Sequence, residues 1–486
     1  MPAQALAAFA TLVSFAGHGN RVELQLDRGS AEFVWISPGA FHFRRTLKGP
    51  LAPAKPERST DAVAFKLDDT PAALHLRSKS LDVAIQKAGV LVSVHRAGLG
   101  AVMADLTEPK PQPTGVAWER EAQPGVRLFG LGPDPAGLEL DWRGRTVDTF
   151  YPFLISSAGY GEYHLKEALY GFDFTAPDRY RIAAPTVDYY FYFGPTPKEI
   201  FQAHNGNSDL IPPARGTPDS WAGLHDGLLR AIHQAMSGMK LDPFSLAGYA
   251  QAPDELKRRV SQFGSLAPSV ISGNNVRISP FRQQLTSFFD IYEIETRDKG
   301  FPIWRPLPFQ FPDDAECAHH ADEFMLGDEM LVAPIYQPGN KRQIYFPPGN
   351  WTSLETNREY PGRSTATIET AALPVFARNS AIVPLDSEGG IALHYFPKLG
   401  GEFFLLEKEI GTYTQIHAAP AADILRLEIE SKKDREYEWV IHHVERPASV
   451  GFEDRQYPWS YDAQLKSLFV RVSVKASEDN IVHVSW

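Results

Sequence analysis

The residues best suited to metal chemistry lie in one short run, "CAHHADE", from Cys317 to Glu323. The run holds a thiol, the imidazoles of His319 and His320, and two carboxyl groups, of which Asp322 provides the first. The spacing of these side chains is not that of a structural zinc site. The sequence therefore predicts neither a metal nor another cofactor.

A lone carboxyl group, Asp219, lies where the hydrophobic pattern changes, in the stretch "GTPDSW". Thr217 is a plausible N-cap, with Pro218 at the first helical position and Asp219 in the first turn. A carboxylate in a first turn complements the helix dipole. We expect this structural role for Asp219, with a displaced catalytic acid as the alternative.

The elements around these residues fall into three zones. From Val13 to about Phe193, period-2 alternation broken by Gly, Pro and Asp predicts an antiparallel sandwich. From Thr217 to Gly300 the period changes to three and four residues, which is typical of helices. Strand patterns return after Phe324.

Three helices are predicted in the middle zone. The first carries an apolar face that includes Trp221, Leu224, Leu228, Ile232, Met236 and Met239. The second, "PDELKRRVSQFG", should end at Gly264, and the third, "PFRQQLTSFFDIYEIETRDKG", should end at Gly300.

Composition limits the possible classes of protein. A chain of 486 residues favours two to four domains, and a net charge of −11 argues against a nucleic acid or an anionic membrane as partner. The single cysteine excludes an internal disulfide framework, and no stretch is apolar enough to span a membrane. The first residues contain no basic segment, so we expect a cytoplasmic protein.

The most distinctive stretch runs from Gly300 to Pro334, "GFPIWRPLPFQFPDDAECAHHADEFMLGDEMLVAP", followed by "GNKRQIYFPPGNW" and "LPVFARNSAIVPL". These segments match, in order, the patterns G-x-P-x-x-R-P-L, F-P-x-D, D-x-x-F-M-L-G, L-V-A-P and R-x-x-Y-x-P-x-G-x-W. The stretch resembles the end of the catalytic barrel and the start of the C-terminal sandwich in glycoside hydrolase family 31, the α-glucosidase and α-xylosidase family. The resemblance extends from about Phe129 to Leu385.

The resemblance implies a mainly β fold with a helical middle: an N-terminal β-sandwich, a partial (β/α)8 barrel and C-terminal β-sandwich domains. We place a galactose-mutarotase-like sandwich at 1–210, the barrel remnant at 211–322, a proximal C-terminal sandwich at 323–400 and a distal β-domain at 401–486. Asp322 matches the family residue that opens the C-terminal sandwich.

The middle of the chain departs from the family. A (β/α)8 barrel takes about 250 residues, and far fewer lie between Pro212 and Asp322. The first half or more of the barrel is therefore predicted to be absent, together with the strand that carries the family's nucleophilic Asp. A retaining glycosidase needs two carboxyl groups roughly 5 Å apart, and only one weak candidate, Asp219, lies near the position of the family's acid/base.

Other family markers are altered as well. Ser245, in "SLAGY", falls where the family has an Asp, and Asp242 lies three residues earlier. The family's Arg-Trp pair appears as Arg259 followed by Val260, and a sugar-contacting His is replaced near Asn274. Asp242 is retained as a carbohydrate-binding candidate.

Tyr160 and Tyr163 lie in a segment that, in the family, reaches over the sugar pocket. Because an aromatic face can stack on a sugar ring, both are candidates for carbohydrate binding. Core packing within an aromatic-rich sandwich is the alternative.

Three hypotheses follow for the function. The first is a catalytically inactive relative, kept as a scaffolding protein or as a protein that binds an α-linked oligosaccharide or glycoside, or else decaying. The second is an active α-glucosidase-like hydrolase that uses other carboxylates or a partner chain, and the third is a structural or interaction protein that uses only its sandwiches. A partial barrel exposes strand edges and apolar helix faces, so we also expect self-association.

Overall fold

The computed structural model describes residues 9–53, 61–97, 100–134, 137–165, 168–204, 219–272, 276–476, 478 and 480–486. The chain divides into two compact units. Unit 1 comprises Met1–Leu210 and Met236–Met239, and unit 2 comprises Ile211–Ala235 and Lys240–Trp486. The finer division into four domains stays a prediction.

Unit 1 is built almost entirely of strands. They are β1 Leu12–His18, β2 Arg21–Leu26, β3 Ser30–Ser37, β4 Ala40–Thr46, β5 Lys66–Asp69, β6 Ala73–Arg77, β7 Leu81–Gln86, β8 Val92–Arg96, β9 Ala101–Ala104, β10 Lys110–Gln112, β11 Gly115–Glu121, β12 Leu128–Gly130, β13 Thr146–Thr149, β14 Phe153–Ser156, β15 Tyr160–His164, β16 Tyr170–Asp173, β17 Arg179–Ala184 and β18 Val187–Phe193. Helix α1, Pro197–His204, follows the last strand.

The unit 1 strands form one eight-stranded sheet, in the order β1-β2-β3-β4-β18-β15-β14-β12, and two five-stranded sheets, β10-β11-β17-β16-β13 and β5-β6-β7-β8-β9. Alternation along each strand decides which side chains enter the core. In β17, Tyr180 and Ile182 are buried while Arg179 and Arg181 between them are exposed. The predicted antiparallel, mainly β architecture of this zone is confirmed.

Unit 2 begins with helices and short strands. They are α2 Trp221–Met236, whose last residue belongs to unit 1, then β19 Phe244–Ser245, α3 Asp254–Gly264, β20 Val270–Ile271, α4 Phe281–Gln284, α5 Thr286–Lys299, β21 Trp304–Pro306 and α6 Leu307–Gln310. Short 3₁₀ turns cover Ala247–Tyr249 and Ala315–His319.

The rest of unit 2 is β-structure. The strands are β22 Phe324–Leu326, β23 Met330–Val332, β24 Lys341–Phe346, β25 Asn350–Ser353, β26 Glu359–Pro361, β27 Ser364–Glu369, β28 Val375–Arg378, β29 Ile382–Ser387, β30 Gly390–Tyr395, β31 Gly401–Glu407, β32 Thr412–Pro420, β33 Ile424–Glu430, β34 Arg435–Ile441, β35 Ser449–Phe452, β36 Arg455–Gln456, β37 Trp459–Asp462, β38 Ser467–Val474 and β39 Asn480–Ser485.

These strands form a six-stranded sheet β21-β22-β23-β28-β25-β26, the pair β24-β27, a five-stranded sheet β29-β30-β34-β38-β37 and a six-stranded sheet β31-β32-β33-β39-β35-β36. A core of large apolar side chains, including Phe346, Trp351 and Phe376, lies under the first of them. β19 and β20 are a separate parallel pair, with α3 between them in sequence.

The start of the first predicted helix is corrected by the structure. The helix begins at Trp221, and the Ser220 hydroxyl accepts a hydrogen bond from the Gly223 N–H at 3.1 Å. Ser220 is therefore the N-cap, and Asp219 precedes the helix instead of lying in its first turn. Thr217 and Pro218 lie outside the described residues.

The second predicted helix ends at Gly264 as expected. The third is divided at Leu285 into α4 and α5. Its end is as predicted, because Gly300 adopts φ 73° and donates its N–H to the Thr296 carbonyl at 2.9 Å.

Within the described ranges, the helices are all too short or too polar to cross a membrane.

Candidate functional site

Helix α2 positions both acids that the sequence suggested. Leu224, Leu228 and Ile232 on its apolar face are buried, which fixes the rotation of the helix in unit 2. Asp219 precedes the helix and is exposed, and no hydrogen bond or ion pair to another described residue engages its carboxylate. The described part of the structure therefore gives the Asp219 carboxylate no partner for acid catalysis.

Asp242 lies near the other end of α2. Its Oδ2 accepts a hydrogen bond from Gln234 Nε2 at 2.9 Å and lies 3.4 Å from Arg230 Nε. Its backbone N–H donates to Gln234 Oε1 at 3.3 Å. Arg230 and Gln234 are four residues apart on one helix face, so the helix holds Asp242 by both side chain and backbone.

A small pocket adjoins Asp242. Its volume is about 70 Å³, and its walls include Phe244, Phe263 and Trp304. Ligand pockets in proteins usually measure about 300–1,000 Å³. The Asp242 pocket is therefore large enough for a few water molecules and too small to enclose an oligosaccharide.

The two acids cannot act as a pair. Helix α2 has 16 residues, which at 1.5 Å per residue makes it about 24 Å long. Asp219 lies before the first residue and Asp242 contacts Gln234 near the last, so their carboxyl groups are on the order of 20 Å apart along the axis. A retaining glycosidase needs roughly 5 Å.

Asp242 also lies at the amino end of the parallel pair β19 and β20. Barrel enzymes do not place their active sites at that end of their strands. Asp242 precedes β19, whereas barrel active sites form beyond the carboxyl ends of the strands. Ser245 is the last residue of β19 and occupies that carboxyl end. Its hydroxyl cannot replace a catalytic carboxyl group as a proton donor at neutral pH.

Arg259, the Arg of the family's Arg-Trp marker, is surrounded by protein. It is buried in α3, and its guanidinium donates to the carbonyl oxygens of Ala372 at 2.9 Å and Thr370 at 3.0 Å. Burial lowers the pKa of Arg259 to about 10. The Asn274 position lies outside the described residues.

Tyr160 and Tyr163 are both buried in unit 1. The Tyr160 ring stacks on Phe191 at 5.4 Å, and its hydroxyl lies 3.1 Å from that of Tyr180. The Tyr163 ring packs 6.3 Å from Phe153. The prediction that they contact a sugar stays a prediction, and in this arrangement neither presents a free aromatic face.

A polar cluster inside unit 2 was not recognised as a unit from the sequence. Asp322 Oδ2 accepts a hydrogen bond from Tyr336 at 2.6 Å and pairs with Arg342 at 2.9 Å. The neighbouring Glu323 accepts the Tyr345 N–H at 3.0 Å, and burial raises the pKa of Glu323 to about 8. The His225 ring of α2 stacks on Tyr336 at 4.0 Å.

A wider groove lies on the distal sheet of unit 2. It has a volume of about 470 Å³ and is lined by Glu438, Pro458, Trp459, Ser460, Phe469 and Arg471. Trp459 and Phe469 are partly exposed, and Arg471 pairs with Glu438 at 3.1 Å. The groove therefore combines aromatic surface with a planar, charged hydrogen-bonding pair.

Unit 1 has a larger cleft of about 820 Å³, but its chemistry differs. The aromatic rings in its lining, Phe174 and Tyr180, are buried. Arg143 and Arg179 are the long side chains at its mouth. This cleft offers charge but no exposed aromatic face.

Sequence reasoning missed the partners of the acids. The four-residue spacing of Arg230 and Gln234 was a usable signal, because it places two polar groups on one face of a predicted helix. The pairing of Asp322 with Arg342 had no comparable local signal, since Arg342 lies on β24.

Comparison with known proteins places this fold. Residues 300–383 match the model of the glycosyl hydrolase family 31 C-terminal domain. Alpha-glucosidase 2 of Bacillus thermoamyloliquefaciens is 24% identical over 303 residues, covering 52% of this chain and 38% of that protein. An alpha-glucosidase of Saccharolobus solfataricus is 27% identical over 156 residues, covering 32% and 19%. The chain thus spans well under half of these relatives.

Solved structures agree on the fold. The dextranase of Flavobacterium johnsoniae, in complex with isomaltotriose, superposes with a TM-score of 0.80 at 14% identity, over 99% of this chain and 100% of that one. Glucosidase II alpha subunit superposes with a TM-score of 0.71 at 10% identity. At such identity the likeness shows the fold alone.

Together these matches show a chain that is similar in sequence to parts of α-glucosidases and similar in fold to glycosidase structures. The similarity to glycoside hydrolase family 31 that the motifs from Gly300 to Leu385 predict is confirmed over residues 300–383, where the model of the family's C-terminal domain matches.

Proposed function

We propose that this chain is a non-catalytic member of family 31 with a truncated barrel. The observation that carries the proposal is the placement of Asp219 and Asp242 at opposite ends of α2, where they cannot share a scissile bond. Truncation is supported by the strands between Asp219 and Gly300. In this segment the described residues form one parallel pair, β19 and β20, whereas a barrel has eight parallel strands.

The first test is hydrolysis of nitrophenyl α-glucosides and α-xylosides by the purified chain. We expect no release of nitrophenol above a blank. Asp219→Ala is the test variant, and Asp254→Ala, which removes an exposed carboxylate at the start of α3, is the matched control. Hydrolysis that survives in the control and disappears in Asp219→Ala would refute the proposal in favour of an active hydrolase.

A partner chain would produce a different result. If a separate polypeptide supplies the missing barrel strands, activity should appear only when that polypeptide co-purifies. The chain would then be half of a divided enzyme instead of a non-catalytic protein.

We propose further that the chain binds α-linked oligosaccharides at the groove around Trp459. A pyranose ring has an apolar face that packs on an aromatic ring, and its hydroxyls pair with planar charged groups. Trp459 and Phe469 supply the first feature, and the pair of Arg471 and Glu438 supplies the second. The dextranase with isomaltotriose in its structure provides the choice of probe.

Calorimetric titration with isomaltotriose and maltotriose tests this binding. Trp459→Ala should weaken binding at least tenfold, because it removes the stacking surface. Trp486→Ala is the matched control, since Trp486 is another partly exposed tryptophan of unit 2, 40% exposed. Equal binding by the wild type and Trp459→Ala would exclude the groove, and no binding by the wild type would leave the interaction-protein hypothesis.

A further inference from the structure

Three potential metal ligands converge inside unit 2. One donor atom each from His320, Asp322 and Glu323 lies within 4.8 Å of the other two. Asp322 and Glu323 are 6% and 1% exposed, whereas His320 is partly exposed. The cluster therefore has two buried carboxyl groups on one side and a partly exposed imidazole on the side that faces solvent.

A second observation is independent of that spacing. Asp322 Oδ1 and Glu323 Oε2 are buried atoms without a hydrogen-bond partner. An unpartnered carboxylate oxygen away from water is costly, so native structures normally satisfy such atoms with protein, water or an ion. Each carboxylate thus has one oxygen available for a ligand.

The other oxygen of each carboxylate is already engaged. Asp322 Oδ2 accepts bonds from Tyr336 and Arg342, and Glu323 Oε1 accepts the Tyr345 N–H. Bonds of this kind hold metal-binding carboxylates in place in known sites. The free oxygens are therefore positioned by the protein and are not simply a group of surface acids.

We infer that His320, Asp322 and Glu323 bind one divalent cation of the zinc and manganese type. One imidazole nitrogen with two carboxylate oxygens is a donor set that suits these ions, whereas Ca²⁺ and Mg²⁺ prefer oxygen ligands alone. The site departs from our sequence-based expectation of no metal. That expectation was based on the ligand spacing of structural zinc motifs. The sequence alone does not show that the two carboxyl groups are buried.

Two neighbouring charged side chains, Arg342 and Glu316, contact the residues of the proposed metal site. Arg342 Nη2 lies 2.9 Å from Asp322 Oδ2 and 3.5 Å from Glu323 Oε1, so one positive charge faces two carboxylates. Glu316 Oε1 lies 3.2 Å from His320 Nε2, and this bond leaves the Nδ1 lone pair of the ring available for the ion.

The test uses the full chain after treatment with a chelator and dialysis. Titration with Zn²⁺ and Mn²⁺ should show one equivalent bound, and Co²⁺ should give the visible absorption of a low-coordinate site. Glu323→Gln and His320→Ala should each weaken Zn²⁺ binding at least tenfold. His319→Ala is the matched control, since His319 is an adjacent exposed histidine outside the three-ligand set, and it should bind as the wild type does.

Several outcomes would overturn the inference. One is the absence of stoichiometric binding to the wild type, and another is unchanged affinity in Glu323→Gln. Equal loss in His319→Ala and His320→Ala would indicate a surface histidine pair instead. His320→Ala guards against misfolding better than the carboxylate variants do, because the His320 ring is partly exposed, although its removal loses the stacking on Tyr345 at 4.9 Å.

Discussion

Arg259 is the residue at which a structural role and a sugar-binding role predict the most different results on mutation. The resemblance places it in the family's Arg-Trp marker, and the structure surrounds its guanidinium with protein oxygens. Its guanidinium donates to five acceptors outside α3: Ala371 O at 3.2 Å, Ala372 O at 2.9 Å, Thr370 O at 3.0 Å, Gly339 O at 3.1 Å and Asn340 Oδ1 at 2.7 Å. Arg259 therefore joins α3 to the loop before β24 and the loop before β28.

The expected cost of Arg259→Met follows from these bonds. Of the five acceptors only the Thr370 carbonyl belongs to a buried residue, and leaving it unpaired costs about 1–3 kcal/mol. The other four are on exposed or partly exposed residues, where losing a bond costs about 0.5–1.5 kcal/mol each, so the upper limit of the sum lies above about 5 kcal/mol. Water entering the site and relief from burying a cation offset part of this. We expect a net loss of about 3–4 kcal/mol, which for a unit of this size lowers the melting temperature by roughly 10 °C.

Scanning calorimetry measures this shift in Arg259→Met, with Arg258→Met as the matched control. Arg258 is less buried and has fewer partners in the same loops, Asn340 Oδ1 at 3.2 Å and the Ala371 carbonyl, so its loss should cost less than 1 kcal/mol. Arg259→Lys should fall between the two, because an ammonium has three donors and no planar fork. Equal melting shifts in both Met variants, or loss of sugar binding with an unchanged melting curve, would refute the reasoning.

Three further predictions concern unit 2. His394 Nδ1 bonds His442 Nε2 at 3.0 Å, and burial lowers the pKa values of His394 to about 4 and His442 to about 3. Between pH 6.5 and 4 these two histidines bind protons in the unfolded chain but stay neutral in the folded chain. The melting temperature of the wild type should therefore fall as the pH is lowered over this range. His442→Phe should show a smaller fall. Asp386 accepts the Ser287 N–H at 2.8 Å and its hydroxyl at 2.6 Å, so Asp386→Ala should lose about 1 kcal/mol in denaturant melts and Asp386→Asn less. A Cβ on Gly362 would lie 2.2 Å from the Gly349 carbonyl oxygen, whereas one on Gly389 meets nothing within 4 Å. Gly362→Ala should therefore reduce the soluble, folded yield and Gly389→Ala should not.

The parts of the fold that local physics controls were predictable. Alternation identified the strands of unit 1, and the three- and four-residue period identified α2 and α3. Gly264 and Gly300 were placed correctly at helix ends, because a helix terminus depends on a few adjacent residues. The start of α2 was missed by a few positions for a related reason, since Thr217 and Ser220 are both acceptable caps and sequence alone does not choose between them.

Partners far apart in sequence were not predictable in this way. Asp386 caps α5 from β29, a strand roughly a hundred residues later. Arg259 finds its acceptors at a similar separation. A single sequence has no periodicity that joins such positions, so the carbonyl bonds of Arg259 were not predictable from it.

The motifs that identify the family have mainly structural roles in this chain. Trp304 donates its indole N–H to the Leu266 carbonyl at 2.7 Å and is buried. Arg305, fully buried, forms ion pairs with Glu295 and Asp328. These residues hold α5 and the loop before β20 against the six-stranded sheet that contains β21. The strongest family signal therefore lies in residues that no substrate needs to touch. A sequence can keep that signal while its acids lie at opposite ends of a helix, and so family membership and catalysis require separate evidence in this chain.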